Sequence, residues 1–366
     1  MKVAFKVDAS LHIGSGHVMR CLALADALQA TDVQCTFVCR PYPGNMLKTI
    51  RAKYSCIELS AVLDPQNTAS QGSIADYADW LGCSWQSDAS ETCEVLRDLQ
   101  PDWLIVDHYA LDSRWEERVQ ATCGRVMVID DLANRNHQCQ LLLDQNLGRK
   151  PADYLQLVPP GCITLVGPQF ALLRPEFATA RHASLLRRSR TAGLGHLLVS
   201  MGGADADNAT GLILRSLGSA GLGDRCVVTV VLGQQNPWHE NVAAVAATLP
   251  CETRVLVNSL SMASLMSEAD LAIGAAGATA WERCCLGLPT ILLTVAANQV
   301  PGARALHDAG AGLHIGGPEC IAEGLPEAIG WMRRPGALQG MGANAAAICD
   351  GLGTSRIVDH IPRATA

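Results

Sequence analysis

Aromatic side chains are scarce in this chain: seven Trp, five Tyr and four Phe among 366 residues. Too few rings are available for a ladder of stacked bases, and the formal net charge is -7, so nucleic acid and anionic membrane surfaces are not expected partners. No apolar run approaches the roughly 18 residues of a membrane span. The opening stretch is interrupted by Lys6 and Asp8 and does not read as a signal peptide. Cysteine is plentiful at 15, but the number is odd and no C-x-x-C pair occurs, which excludes the zinc-ribbon and thioredoxin patterns. The thiols read as small buried residues of a reduced, cytoplasmic protein.

What is present is an ordinary globular composition, 49% hydrophobic and 17% charged, on a chain long enough for two domains. Short apolar runs at 2–8, 34–39, 103–107, 125–130 and 141–144 suit strands, and helix spacing runs over 18–30. Four of these runs end in Asp: Asp8, Asp107, Asp130 and Asp144. The pattern restarts with strands expected at 196–200, 227–232, 254–257, 271–274 and 290–295, and helices at 207–217, 261–268 and 279–286. Alternating strands and helices imply an α/β protein with two Rossmann-like, doubly wound parallel-sheet domains, 1–180 and 190–345, facing across a cleft. The arginine-rich stretch 175–195 reads as a linker or a solvated basic helix. A tail over 346–366 is expected to pack back across the domains.

Glycine loops at strand ends carry the candidate chemistry. The first is Gly14-Ser15-Gly16-His17. Its glycines permit close backbone approach, and free N–H groups at a helix start favour an anion. The third glycine of a dinucleotide fingerprint is missing, and the loop is no Walker motif. His17 at the helix start is open to a structural or a functional role, and His12 beside it lacks a third metal ligand. The second loop, Ser200-Met201-Gly202-Gly203, leads into Asp205-Ala206-Asp207, which reads as a helix cap in preference to a metal-binding D-x-D. The third loop runs from Gly274 through Gly277 and Ala278, with Glu282 one turn into the following helix, either as a ribose acceptor or as an acid that favours a helix N-terminus. Asn298 and Gln299 at a strand end suit a sugar or phosphate contact, or a turn.

The run Phe5 to Ser10, the segment Ile13 to Cys21, Asp107-His108-Tyr109, the Ser200 to Asp205 loop, Trp281 to Pro289 and Asn298-Gln299 together resemble the UDP-2,4-diacetamido-2,4,6-trideoxy-β-L-altropyranose hydrolases of pseudaminic acid biosynthesis. The motifs follow family order over residues 1 to about 300. The resemblance implies the GT-B architecture, shared with the lipid-II-forming N-acetylglucosaminyltransferase, and a metal- and cofactor-independent, inverting attack of water on a UDP-linked diacetamido sugar. It implies that His17 is the general base, that Tyr109 and Asn298 position sugar or water, and that Glu282 binds the ribose. It also places uracil on the backbone near Ser261-Met262, and substrate contacts at Lys6, Gly14, Gly16, Gly202, Gly203, Gly277, Ala278 and Gln299. Two departures stand out: Lys6 in place of a common arginine, and Ala276 and Ala278 where Gly and Ser are common, which removes a side-chain hydroxyl. A GT-B glycosyltransferase with a UDP-amino-sugar donor, and a nucleotide-sugar-binding protein without catalysis, are the competing readings.

Overall fold

The computed structural model describes residues 1–61, 77–190, 193–203, 205–222, 225–234, 236–259 and 261–361. Thr191 and Ala192 of the expected linker, Ala204 of the second glycine loop and the last five residues of the tail lie outside these.

The buried apolar runs become parallel strands, because a strand covered on both faces needs no polar alternation. The first sheet contains β1 (Lys2–Val7), β2 (Gln34–Cys39), β3 (Ser55–Glu58), β4 (Trp103–Asp107), β5 (Arg125–Ile129), β6 (Leu141–Asp144) and β7 (Ile163–Val166). They lie in the order β3-β2-β1-β4-β5-β6-β7, every neighbouring pair parallel. The second sheet contains β8 (His196–Ser200), β9 (Val227–Leu232), β10 (Glu252–Val257), β11 (Leu271–Ala275), β12 (Thr290–Leu293) and β13 (Leu313–His314), in the order β10-β9-β8-β11-β12-β13. Each sheet changes direction of growth once, between β1 and β4 and between β8 and β11. Loops at the carboxyl ends of such a strand pair diverge to opposite faces and leave a crevice.

Helices cover both faces of the first sheet. Helix Gly16–Gln29 buries Val18, Cys21, Leu24 and Leu28 against one face with Phe5, Phe37 and Ile105. Trp115, Val119 and Leu96 cover the other, over Leu104, Val126 and Leu142. The strands missing from the sequence reading are β3, β7 and β13. All lie at or towards a sheet edge, and β3 and β13 are only partly buried, so their apolar signal is weak.

The chain divides into two units, Met1–Leu172 with Gly353–Ala366, and Leu173–Leu352. The expected boundary over 180–190 is therefore corrected to the Leu172/Leu173 junction. The reason lies in the arginine-rich segment, which is no linker: its outer face, with Arg190, is solvated, but Arg188 on the inner face is buried. Helix Pro175–Arg190 belongs wholly to the second unit. The Arg188 guanidinium is buried and donates to the carbonyls of Leu286 (2.9 Å), Ala269 (2.7 Å) and Met266 (2.6 Å). Arg181 serves the carbonyls of Cys285, Cys349 and Ala346 in the same way. These cations help to close the carbonyl ends of helices. The tail is also divided: helix Ala337–Ile348 stays in the second unit, whereas Gly353–Asp359 belongs to the first, where Ile357 joins the core beside β1.

Burial lowers the Arg188 pKa to about 9, the cost of holding this charge out of water. Arg188→Ala should remove three hydrogen bonds, although Ser184 still serves the Leu286 carbonyl and Arg187 the Ala269 carbonyl, and lower stability by about 2 kcal/mol or more, read as a fall in the urea midpoint. Arg190→Ala, at the exposed end of the same helix, should leave the midpoint almost unchanged.

Candidate functional site

In the first unit, the two strands at the change of direction each deliver a side chain. Val7 at the end of β1 pairs in register with Asp107 at the end of β4. The loop after β1 turns at Gly14, whose φ of 78° is in the left-handed region with open space around it, and helix Gly16–Gln29 begins. Ser15 gives that helix no side-chain cap, and its first turn carries no acid.

His17 lies in that first turn, and its Nδ1 donates to Asp107 Oδ1 at 2.6 Å. The carboxylate accepts and cannot donate, so Nδ1 carries the hydrogen and Nε2 is left as the basic nitrogen. Arg20 is three residues along the helix, on the same face as His17. It clamps Asp107 with Nε to Oδ2 and Nη2 to Oδ1, both at 2.7 Å, and Cys21 Sγ adds a weak bond at 3.6 Å. Asp107 is fully buried. Burial alone would raise its pKa, but the charges and hydrogen bonds of Arg20 and His17 outweigh this and hold the carboxyl well below its ordinary range.

A second carboxylate completes the arrangement. Asp131, just beyond β5, pairs with Arg20 Nη1 at 2.7 Å, accepts the Tyr109 hydroxyl at 2.6 Å and accepts Asn146 Nδ2 at 3.0 Å. Tyr109 sits edge-on to the His17 imidazole, with ring centroids 4.6 Å apart. Burial first, and Asp131 second, push its hydroxyl pKa well above the usual value, so the phenol is neutral. Gly14, Gly16, His17 and Tyr109 are thus brought together. Arg20, Asp107 and Asp131 join them, three residues to which the sequence alone assigns no role there. The usable signal was an Asp at the end of a buried strand and an Arg three residues after a loop histidine.

Lys6 requires a correction. It is completely buried, with Nζ 2.5 Å from Asp8 and 3.6 Å from Asp88. Asp8 also accepts the Arg40 backbone N–H at 2.6 Å, and Asp88 pairs with the Arg40 guanidinium at 2.7 Å. Lys6 is a structural cation beneath the loop, with no surface to offer a ligand.

In the second unit, two glycine loops flank the change of direction. Gly202 follows β8 with a φ of 95° and open space where a side chain would lie. Gly203 packs so closely on Gly233 that a Cβ there would collide with the Gly203 carbonyl. Gly277 and Ala278 follow β11 and lead into helix Thr279–Cys285. Asp205 accepts the backbone N–H groups of Ala209 and Thr210 at 2.8 and 3.1 Å and so serves the helix start, but the N-cap itself is Asn208, whose side chain accepts the Gly211 N–H at 3.1 Å. Met262 opens helix Met262–Glu268 after Ser261. Asn298 and Gln299 lie in the short helical turn Ala297–Gln299 after β12, and Gln299 Oε1 accepts the Val295 N–H at 3.1 Å, which leaves its amide nitrogen on the Gly277 side.

Residues 198–349 match the glycosyltransferase family 28 C-terminal domain. The chain is 26% identical over 270 residues to the UDP-2,4-diacetamido-2,4,6-trideoxy-beta-L-altropyranose hydrolase of Campylobacter jejuni, covering 74% of this chain and 83% of that one. The resemblance to the hydrolase family holds. An uncharacterized protein of Methanocaldococcus jannaschii, MJ1062, is 22% identical over 298 residues, 80% of this chain and 55% of that protein, so the chain spans about half of that relative's length. Among solved structures, Acinetobacter baumannii MurG shares the fold with a TM-score of 0.67 at 18% identity, over 98% of this chain and 99% of that one. The two parallel sheets are those of the GT-B glycosyltransferases.

Within the family 28 match, Glu282 is the distinctive titratable group. Its carboxyl is mostly buried, 3.8 Å from Arg174, and burial raises its pKa to about 7 despite that cation. In the unfolded chain it titrates near 4.5, so between these values the folded state binds the extra proton. Its contribution to stability is full below pH 4.5 and is lost as pH rises through 7. Glu282→Gln should therefore raise the melting temperature of the unliganded protein at pH 8 and leave it nearly unchanged at pH 4.5.

Proposed function

We propose that this protein hydrolyses a UDP-linked 2,4-diacetamido-2,4,6-trideoxy sugar, releasing UDP and the free sugar with inversion, as a step in pseudaminic acid biosynthesis. The observation that carries this reading is the His17–Asp107 pair at the change of direction of the first sheet.

In this mechanism a water oxygen attacks the anomeric carbon. The bond from that carbon to the diphosphate oxygen breaks, and its electron pair leaves with UDP. The water proton passes to His17 Nε2, and Asp107 stabilises the imidazolium that forms. UDP is a good leaving group, so a strong general acid is not needed. The loops at Gly202-Gly203 and Gly277-Ala278 hold the diphosphate through backbone N–H groups, which also stabilise its growing charge. Glu282 holds the ribose, the backbone near Met262 holds the uracil, and Tyr109 and Asn298 with Gln299 orient sugar and water.

The test is hydrolysis in ¹⁸O-labelled water with EDTA present. Label is expected in the reducing sugar, with UDP unlabelled; label in UDP means attack at phosphorus and overturns the mechanism. The family 28 match favours a second reading, a glycosyltransferase acting from the same donor site. Incubation without an acceptor separates the two, because a hydrolase makes free sugar in proportion to substrate consumed and a transferase makes little.

A further inference from the structure

In a chain with few aromatic residues, three of them gather around His17. Trp80 and Tyr77 come from the turn Tyr77–Leu81, which the Tyr42 hydroxyl pins by donating to the Leu81 carbonyl. The Trp80 ring stacks on Tyr109, centroids 5.4 Å apart and planes within 22°. Tyr77 packs on both, at 4.7 Å from Trp80 and 5.0 Å from Tyr109. The His17 imidazole stands edge-on to Trp80 at 6.2 Å as well as to Tyr109. The Tyr109 ring is buried, whereas Tyr77 and Trp80 remain partly open to solvent. Trp103, Trp115 and Trp281, by contrast, are core residues at 4% exposure or less. Leaving part of a Trp ring wet forgoes burial energy that a core position would return. Beside a histidine at a strand-end crevice, the open faces are apolar surface waiting for a ligand.

We propose that Tyr77 and Trp80, backed by Tyr109, are the sugar platform of this site. They take the apolar face of a deoxy, N-acetylated pyranose, its C6 methyl and acetamido methyl groups, and make the site prefer it over a 6-hydroxy sugar. This rests on the hydrolase reading for the identity of the substrate and adds the side chains that select it. Apolar contacts discriminate modestly against an added hydroxyl, so the preference over UDP-N-acetylglucosamine that comes from the platform is about 10- to 100-fold.

The experiment measures dissociation constants by calorimetry, for UDP and for the UDP-2,4-diacetamido-2,4,6-trideoxy sugar, on the full-length parent, Trp80→Phe, Trp80→Leu and Tyr77→Leu. Turnover is followed in the same samples, and far-UV circular dichroism checks the fold. Trp80→Leu keeps apolar bulk without a ring face. It should weaken the UDP-sugar about tenfold or more and leave UDP within about twofold, while Trp80→Phe retains most of the affinity. Tyr77→Leu should give a smaller loss in the same direction. If Leu and Phe at position 80 bind the UDP-sugar equally, the rings only pack the turn and the platform is refuted. Equal losses for UDP and UDP-sugar refute it too, as does a parent that binds the UDP-sugar no more tightly than UDP. A parent that binds the UDP-sugar but does not hydrolyse it refutes the hydrolase reading alone, and the affinity ratios still decide the platform.

Discussion

Replacing His17 by Ala or Asn should lower the hydrolysis rate by about two to four orders of magnitude while the UDP-sugar still binds, because general-base catalysis supplies about that factor. The geometry explains why one atom matters so much. Nδ1 is committed to Asp107 at 2.6 Å, so Nε2 alone is available to take the proton of water. The surrounding rings and the fully buried Asp107 hold the imidazole in one orientation, which removes the entropic cost of finding it at each turnover. Single-turnover kinetics with a parallel binding measurement will check this. A His17 variant that turns over near the parental rate removes this residue from the mechanism. One that fails to bind the UDP-sugar assigns it to binding instead.

Asp107→Asn should have the second large effect, and on two readouts. The carboxylate receives four donors: His17 Nδ1, two from Arg20 and the Cys21 thiol. An amide in the same place must turn its NH₂ towards one of these donors. Facing His17, it would favour the tautomer with hydrogen on Nε2, which has no lone pair for water; this should lower kcat by about 10²- to 10⁴-fold with a smaller change in UDP-sugar affinity. It also leaves the buried Arg20 with Asp131 as its only charged partner, a loss of about 3 kcal/mol or more. Because folding depresses the Asp107 pKa, its stabilisation is fully present above the unfolded value near 4 and is lost as pH falls below that. Urea midpoints from pH 7 down to 3 should therefore fall less steeply in the variant than in the parent. An Asn variant with parental kcat would show that the pair is structural only.

These two residues illustrate what a sequence can and cannot show. His17 is legible because everything that marks it is local: a strand, two glycines and a helix start within a few residues. Asp107 ends a recognisable strand, and Tyr109 follows it, but nothing within that strand says which other strand it will lie beside. Asp131 and Arg20 are less legible still, because a carboxylate after a strand and an arginine in a helix are ordinary surface features until they are found facing each other. Trp80 and Tyr77 sit in a short turn with no periodicity to report a face. The interior strands β1, β2, β4, β5, β6, β8, β9, β11 and β12 are readable from continuous apolar runs, whereas β3, β7 and β13 lie where the burial signal fades.

The arginine helix and Lys6 show the opposite error, in which a correct local observation supports the wrong inference. Charge in a sequence reads as solvent exposure because an unpaired charge is costly to bury. Arg181 and Arg188 escape that rule by donating to six main-chain carbonyls between them, and Lys6 escapes it by lying between Asp8 and Asp88. Those partners are 78 or more residues away in every case except Asp8, so no local window could have supplied them.

The alternation of strands and helices, the glycine loops with their helix starts and the presence of a loop histidine were determined by the sequence alone, because backbone propensity and hydrophobic period act over only a few residues. The order of the strands was decided by the tertiary structure. Pairing β1 with β4 sets Asp107, 90 residues away along the chain, within 2.6 Å of His17 and turns a loop histidine into an oriented base. That decision is long-range, since the cost of closing so long a loop is repaid only by the assembled sheet and its core.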